Sequence, residues 1–104
     1  MKALVGRVEE AHPILEGERL KAKLLVAADS GESLAAYLPD RELAALLPRS
    51  LLVGNARTAP VELLGTLEPM LGRLAQGRRV RVWSYRDRRY ASFLPWRGVR
   101  FTAP

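Results

Sequence analysis

Guanidinium groups bind phosphates, and flat rings stack on bases. In this chain both groups concentrate between Arg78 and Phe101. The stretch holds eight of the seventeen basic residues and one of the eleven acids, a net charge of +7. Residues 1–77 hold nine basic and ten acidic residues, a net charge of −1. Six of the seven aromatics lie in the same stretch: Trp83, Tyr85, Tyr90, Phe93, Trp96 and Phe101. The chain is a near-neutral body with one cationic, aromatic end. Single-stranded nucleic acid requires that mixture, cations for its phosphates and rings for its bases.

Side chains alternate in this stretch with the period of a strand. Val80 and Val82 point one way, and Arg79, Arg81, Trp83 and Tyr85 the other. Arg86-Asp87-Arg88-Arg89 is polar and suits a four-residue loop, and a second run follows from Tyr90 to Trp96. That hairpin pairs residue 85 with 90, 83 with 92 and 82 with 93. Cross-strand partners share a face. Val80, Val82, Ala91 and Phe93 then form a core face. Arg79, Arg81, Trp83, Tyr85, Tyr90, Ser92, Leu94 and Trp96 form the other. An aromatic face of this kind also suits a protein interface, with its arginines at the rim.

Other chemistry lacks the residues it needs. The lone histidine, His12, stands beside Pro13 and reads as a loop or core residue, since no Ser-His-Asp or Cys-His set can be assembled around it. Glu9 and Glu10 are neighbours in a strand, so they face opposite sides and do not pair as carboxylates. No phosphate-loop motif is present, and Asp29, Glu32 and Asp40 lack calcium-loop spacing. There is no cysteine, which removes disulfides, thiolate chemistry and cysteine-based metal sites. No enzymatic activity, cofactor or metal is expected.

The elements that position the hairpin follow in chain order. Ala3 to His12 reads as a strand ended by Pro13, with Gly6 marking a bulge or tight bend. Arg19 to Ala28 is a second strand, with Leu20, Ala22, Leu24 and Val26 on one face and Lys21 and Lys23 opposite. Asp29-Ser30-Gly31-Glu32 is a turn, and Ser33 to Leu38 a third strand. Asp40 is a candidate N-cap for a helix that Pro48 ends. Ser50 to Val53 reads as a short strand and 54–60 as loop. Val61 to Gly65 is open between strand and helix. Thr66 is a second candidate N-cap, for a helix at 67–76 that buries Leu67, Met70, Leu71 and Leu74, with Gly77 as its terminating glycine. Val99 to Phe101 reads as a last short strand.

The length, 104 residues, fits one domain, expected to span the whole chain. No long uncharged apolar run predicts a membrane span, and the N-terminus lacks a signal-peptide core, so a cytoplasmic protein is expected. Net charge +6 favours polyanionic partners. Arginine outnumbers lysine fourteen to three, which points to a GC-rich and thermophilic source.

Three strands, a helix and a hairpin fit a small OB-like barrel. The expected fold is mainly β, with five or six strands and one or two short helices at about 40–47 and 67–76. Gly6-Arg7-Val8-Glu9-Glu10, Asp29-Ser30-Gly31-Glu32 and Gly77-Arg78-Arg79-Val80-Arg81-Val82 resemble the opening strand, the turn between strands two and three, and strand four of a known family. It comprises OB-fold nucleic-acid-binding proteins of the S1 and bacterial translation initiation factor one kind. Residues 40–66 are extra to that pattern. Leu34-Ala35-Ala36-Tyr37-Leu38-Pro39-Asp40-Arg41-Glu42-Leu43-Ala44 resembles the strand-to-helix segment of HIRAN domains, OB-like barrels that bind single-stranded DNA ends. Both resemblances imply single-stranded nucleic acid as partner, and the ligand expected here is RNA before DNA.

The expected function is non-catalytic binding of that ligand. Trp83, Tyr85 and Tyr90 would stack on bases, and Arg79, Arg81, Arg86, Arg88 and Arg89 would hold phosphates. Lys21 and Lys23 would extend the track. The alternative is a protein-interaction module or homodimer using the Trp/Tyr face, or an accessory subunit of a larger complex.

Overall fold

Gly6 lies where two strand backbones approach closely. A β-carbon there would sit 2.5 Å from the Ala27 carbonyl oxygen and 2.8 Å from Ala28 Cα. Only glycine fits such a contact. In this computed structural model, which describes residues 4–17, 19–47 and 60–94, Gly6 belongs to a long first strand, β1 (Leu4–Glu16). Its partners are β2 (Arg19–Ala28) and, over Leu4–Arg7, β4 (Arg79–Tyr85). The register of β1 on β2 shifts between Val8 and Glu10, so the bulge lies beyond Gly6 and not at it. The extra residue also leaves both Glu9 and Glu10 exposed, where simple alternation puts them on opposite faces.

Pro13 does not end β1. It pairs with Ala22, and the strand continues to Glu16. The Ala22 carbonyl accepts from the Leu38 amide, so Ala22 turns its hydrogen-bonding groups toward β3 and away from Pro13. The backbone nitrogen of Pro13 correspondingly faces the other edge of β1. That edge has no strand partner beyond Arg7 among the described residues. Proline in a strand is tolerated at such an edge because no donor is needed there.

Strand β3 (Ser33–Tyr37) returns from β2 through the expected turn, with Gly31 at φ +104°. Helix α1 (Asp40–Leu46) follows. Its N-cap is Pro39 rather than Asp40, and no side chain caps it. The carboxylate of Asp40 is instead taken by Lys21 and Arg19. Helix α2 (Pro60–Ala75) is longer than expected, so 61–65 is helical and Thr66 lies inside it. Leu67, Leu71 and Ala75 recur every four residues and are fully buried. Leu74, expected in the core, is 38% exposed. Gly77 ends this segment with φ +85° and donates to the Val8 carbonyl.

The last pair is β4 with β5 (Arg88–Phe93). Strand order is β1-β2-β3-β5-β4, closed by β4 pairing back to β1. All pairings are antiparallel except β3 with β5, joined at Tyr37 and Tyr90. This is the mainly β, closed five-stranded, OB-like barrel that the element order implied. Its core is built by alternation: Val8, Ala22, Leu24, Val26, Leu34, Ala36, Val80, Val82 and Ala91 point inward. The expected strands at 50–53 and 99–101 lie outside the described residues, as do Trp96 and Phe101. Among the described residues no helix is long and apolar enough to cross a membrane.

Candidate nucleic-acid interface

The β4–β5 hairpin turns on two residues, not four. Arg86 and Asp87 take φ +53° and +65°, and Tyr85 pairs with Arg88. Trp83 therefore faces Tyr90, Val82 faces Ala91 and Val80 faces Phe93, in place of the expected pairings of 85 with 90, 83 with 92 and 82 with 93. The difference is an even number of residues, so every side chain keeps its expected face. The sequence lacks the Asn-Gly pair that normally announces so tight a turn. Four consecutive polar residues concealed it.

Pairing across the barrel sets four outward residues in one row. Lys23 on β2 is opposite Tyr37 on β3; Tyr37 is opposite Tyr90 on β5; Tyr90 is opposite Trp83 on β4. The rings of Trp83 and Tyr90 stack, with centroids 6.0 Å apart and planes at 28°. Arg81 lies 5.7 Å from the Trp83 ring centre. Tyr85, at 56% exposure, extends the row toward the turn, where Arg86 stacks on it at 5.4 Å and donates to its hydroxyl. Neighbouring strands are ~4.8 Å apart, so Tyr37, Tyr90 and Trp83 span roughly 10 Å.

The expected phosphate-binding residues divide into two groups. Arg79 makes a two-pronged contact with Asp29, at 2.9 and 2.8 Å, fixing β4 to the turn after β2. That contact holds the Asp29 carboxyl below its ordinary value. Arg88 does the same with Glu16, at 3.0 and 2.7 Å, and lowers the Glu16 carboxyl in turn. Lys21 is largely covered and donates to Asp40 at 2.9 Å, the main cause of the lowered Asp40 pKa. These three cations are neutralised within the protein. Lys23, Arg81, Arg86 and Arg89 are exposed and make no ion pair among the described residues.

Tyr37 was not among the expected residues. Its only sequence signal is parity, outward between the inward Ala36 and Leu38. It carries the Arg88 guanidinium 4.1 Å above its ring. Beside it an open cleft of about 640 Å³ lies between the hairpin and β2–β3, lined by Lys23, Ala35, Tyr37, Ser84 and the Asp87–Arg89 segment. That volume is within the ordinary range for a ligand site, about 300–1,000 Å³.

His12 is neither loop nor core but an exposed residue of β1. Its Nδ1 meets Glu68 on α2, and its Nε2 lies 2.9 Å from Glu10. The hydrogen bond to Glu10, then that to Glu68, raises its pKa above 6.5. A raised folded-state pKa adds stability that is complete below about 6.5 and is lost as pH climbs through the folded value. Thermal melts of the wild type and His12→Gln should therefore converge above neutral pH and separate at slightly acidic pH, with the wild type higher. Parallel melting curves across that range would remove the ion-pair role. At the acid end, Asp29, Glu16 and Asp40 act in the opposite sense. Their contribution is present above the ordinary carboxylate range and disappears as pH falls through their lowered values.

Among the described residues no group of three or more His, Cys, Asp or Glu side chains is placed to hold a metal ion. Compared with known proteins, the chain matches no family model, no curated protein and no solved structure. The fold defines a class, a small OB-like barrel. Its outer surface carries the row of rings together with cations that make no ion pair among the described residues.

Proposed function

We propose that this chain is a cytoplasmic, non-catalytic binder of single-stranded nucleic acid, as its resemblance to OB-fold nucleic-acid-binding proteins implies. The observation that carries this reading is the Lys23–Tyr37–Tyr90–Trp83 row across four strands. Three rings in series suit successive bases, since every base has a face to stack and stacking needs no particular sequence. A span of roughly 10 Å at a base rise of roughly 3.4 Å accommodates about three or four nucleotides. Lys23, Arg81, Arg86 and Arg89 would track the phosphates that run alongside. Strands two and three and the hairpin loop are also where an OB barrel offers its ligand face.

The test is fluorescence titration of a Trp96→Phe variant, whose remaining tryptophan is Trp83, with a short oligonucleotide at several salt concentrations. Saturable quenching is expected. Affinity should fall with salt at a log–log slope of about −3, because four phosphate contacts release about 0.7 counterion each from a single strand. A salt-independent affinity would remove the phosphate track. The exposure of Tyr85 favours one other reading, a protein interface or homodimer on the same face. That reading requires a mass that grows with protein concentration and returns to the monomer in Trp83→Ala.

A further inference from the structure

The hairpin turn places a carboxylate where a phosphate track would exclude one. Arg86 and Asp87 both hold left-handed backbone, at φ +53° and +65°, in a turn that Asn-Gly forms with less strain. Aspartate enters left-handed backbone more readily than most non-glycine residues, so the turn is compatible with a carboxylate at position 87. Asp87 is the one acid lining the cleft beside Tyr37 among the described residues. Lys23, Arg88 and Arg89 line the same cleft, yet Asp87 makes no ion pair among the described residues. The neighbouring guanidinium, Arg88, is satisfied by Glu16 instead.

Glu16 holds Arg88 through its two terminal nitrogens and one guanidinium face lies on Tyr37 at 4.1 Å, so the charge of Arg88 is already balanced by a carboxylate. Arg88 lines the cleft, and guanidinium planes stack on bases. Asp87 is an acceptor without donors, able to receive two parallel N–H bonds. It repels phosphate and ring nitrogens that carry lone pairs. On the Watson–Crick edge, guanine alone among the four common bases presents two adjacent donors, N1–H and the N2 amino group. Adenine and cytosine each set one amino group beside an acceptor nitrogen. Uracil and thymine set one N–H between two carbonyls.

We propose that the cleft is a guanine-selective station within the nucleic-acid face, with Asp87 reading the base edge and Arg88 on Tyr37 forming its stacking floor. This rests on the single-strand reading above and adds a base preference to it.

The test uses thymidine decamers carrying one central guanine, adenine, cytosine or hypoxanthine, titrated into the full chain and into Asp87→Asn. Asparagine accepts left-handed backbone readily, so the turn is retained, and a thermal melt checks this. The guanine decamer should bind wild type roughly tenfold tighter than the adenine or cytosine decamers, the scale of one bidentate base contact. Hypoxanthine, which keeps N1–H and lacks the amino group, should lose most of that advantage. Asp87→Asn should erase it while binding of the all-thymidine decamer is kept or tightened, because a carboxylate that repels phosphate is gone. Equal affinity for all four bases in the wild type, or a guanine preference that survives in Asp87→Asn, overturns the station and leaves the single-strand reading standing. Failure of every decamer to bind overturns the single-strand reading itself, and the station with it.

Discussion

Tyr90→Ala and Trp83→Ala are each expected to weaken binding of a short single strand by about 1–3 kcal/mol, the usual worth of one base stacked on one ring. At 1.4 kcal/mol per factor of ten, that is roughly 5- to 150-fold in dissociation constant. The two losses should not add. The rings are stacked on each other at 6.0 Å, so removing one also unseats the other. The informative contrast is with Arg79→Ala and Lys21→Ala. Both residues were expected on the phosphate track, and both are held by internal carboxylates, Asp29 and Asp40. Their removal should leave affinity within about twofold, because a contact already neutralised releases no counterion on binding. Anisotropy of a labelled oligonucleotide measures all four variants. An Arg79→Ala loss as large as that of Tyr90→Ala would mean the ligand displaces Asp29, and the row would no longer define the site.

That contrast also shows where sequence stopped being informative. Which face of β4 is apolar was legible, because Val80 and Val82 alternate with Arg81 and Trp83 and period is a local property. The turn at 29–32 and the glycine at 77 were legible for the same reason, since each requires a conformation that glycine supplies. Pairing between distant charges was not. Arg79 meets Asp29 across 50 residues and Arg88 meets Glu16 across 72, and nothing local separates these arginines from Arg81 or Arg89. The contribution of Tyr37 was hidden likewise. It becomes a ring in a row only when β3 lies parallel to β5, a consequence of closing the barrel. Pro13 misled for a physical reason too. A proline breaks a strand only where the edge its nitrogen faces needs a donor, and the nitrogen of Pro13 faces an edge of β1 with no strand partner there among the described residues.

Leu71→Ala is expected to be the most damaging single change to the fold, at about 2–5 kcal/mol, the range for emptying a buried leucine site. Domains of this size are stable by only about 5–15 kcal/mol in total, so the loss is a large fraction of what holds the barrel closed. Leu71 sits between Leu67 and Ala75 on the inward stripe of α2, and all three are fully buried. The helix packs on β1 and hands the chain to β4 through Gly77, whose amide donates to Val8 on β1. Seating α2 and starting the β4–β1 seam are therefore coupled, and a cavity at Leu71 should loosen the seam that closes the barrel. Leu74→Ala is the control. Three residues along the same helix and 38% exposed, Leu74 should cost under about 1 kcal/mol, because it leaves no enclosed cavity. Urea unfolding followed by tryptophan fluorescence gives both values. Equal losses at the two positions would place the wrong face of α2 against the barrel. Trp83 and Tyr90 lie on the hairpin that the seam supports, so Leu71→Ala should also weaken oligonucleotide binding once temperature approaches its lowered midpoint. Loss of binding well below that midpoint would mean the helix contacts the ligand directly.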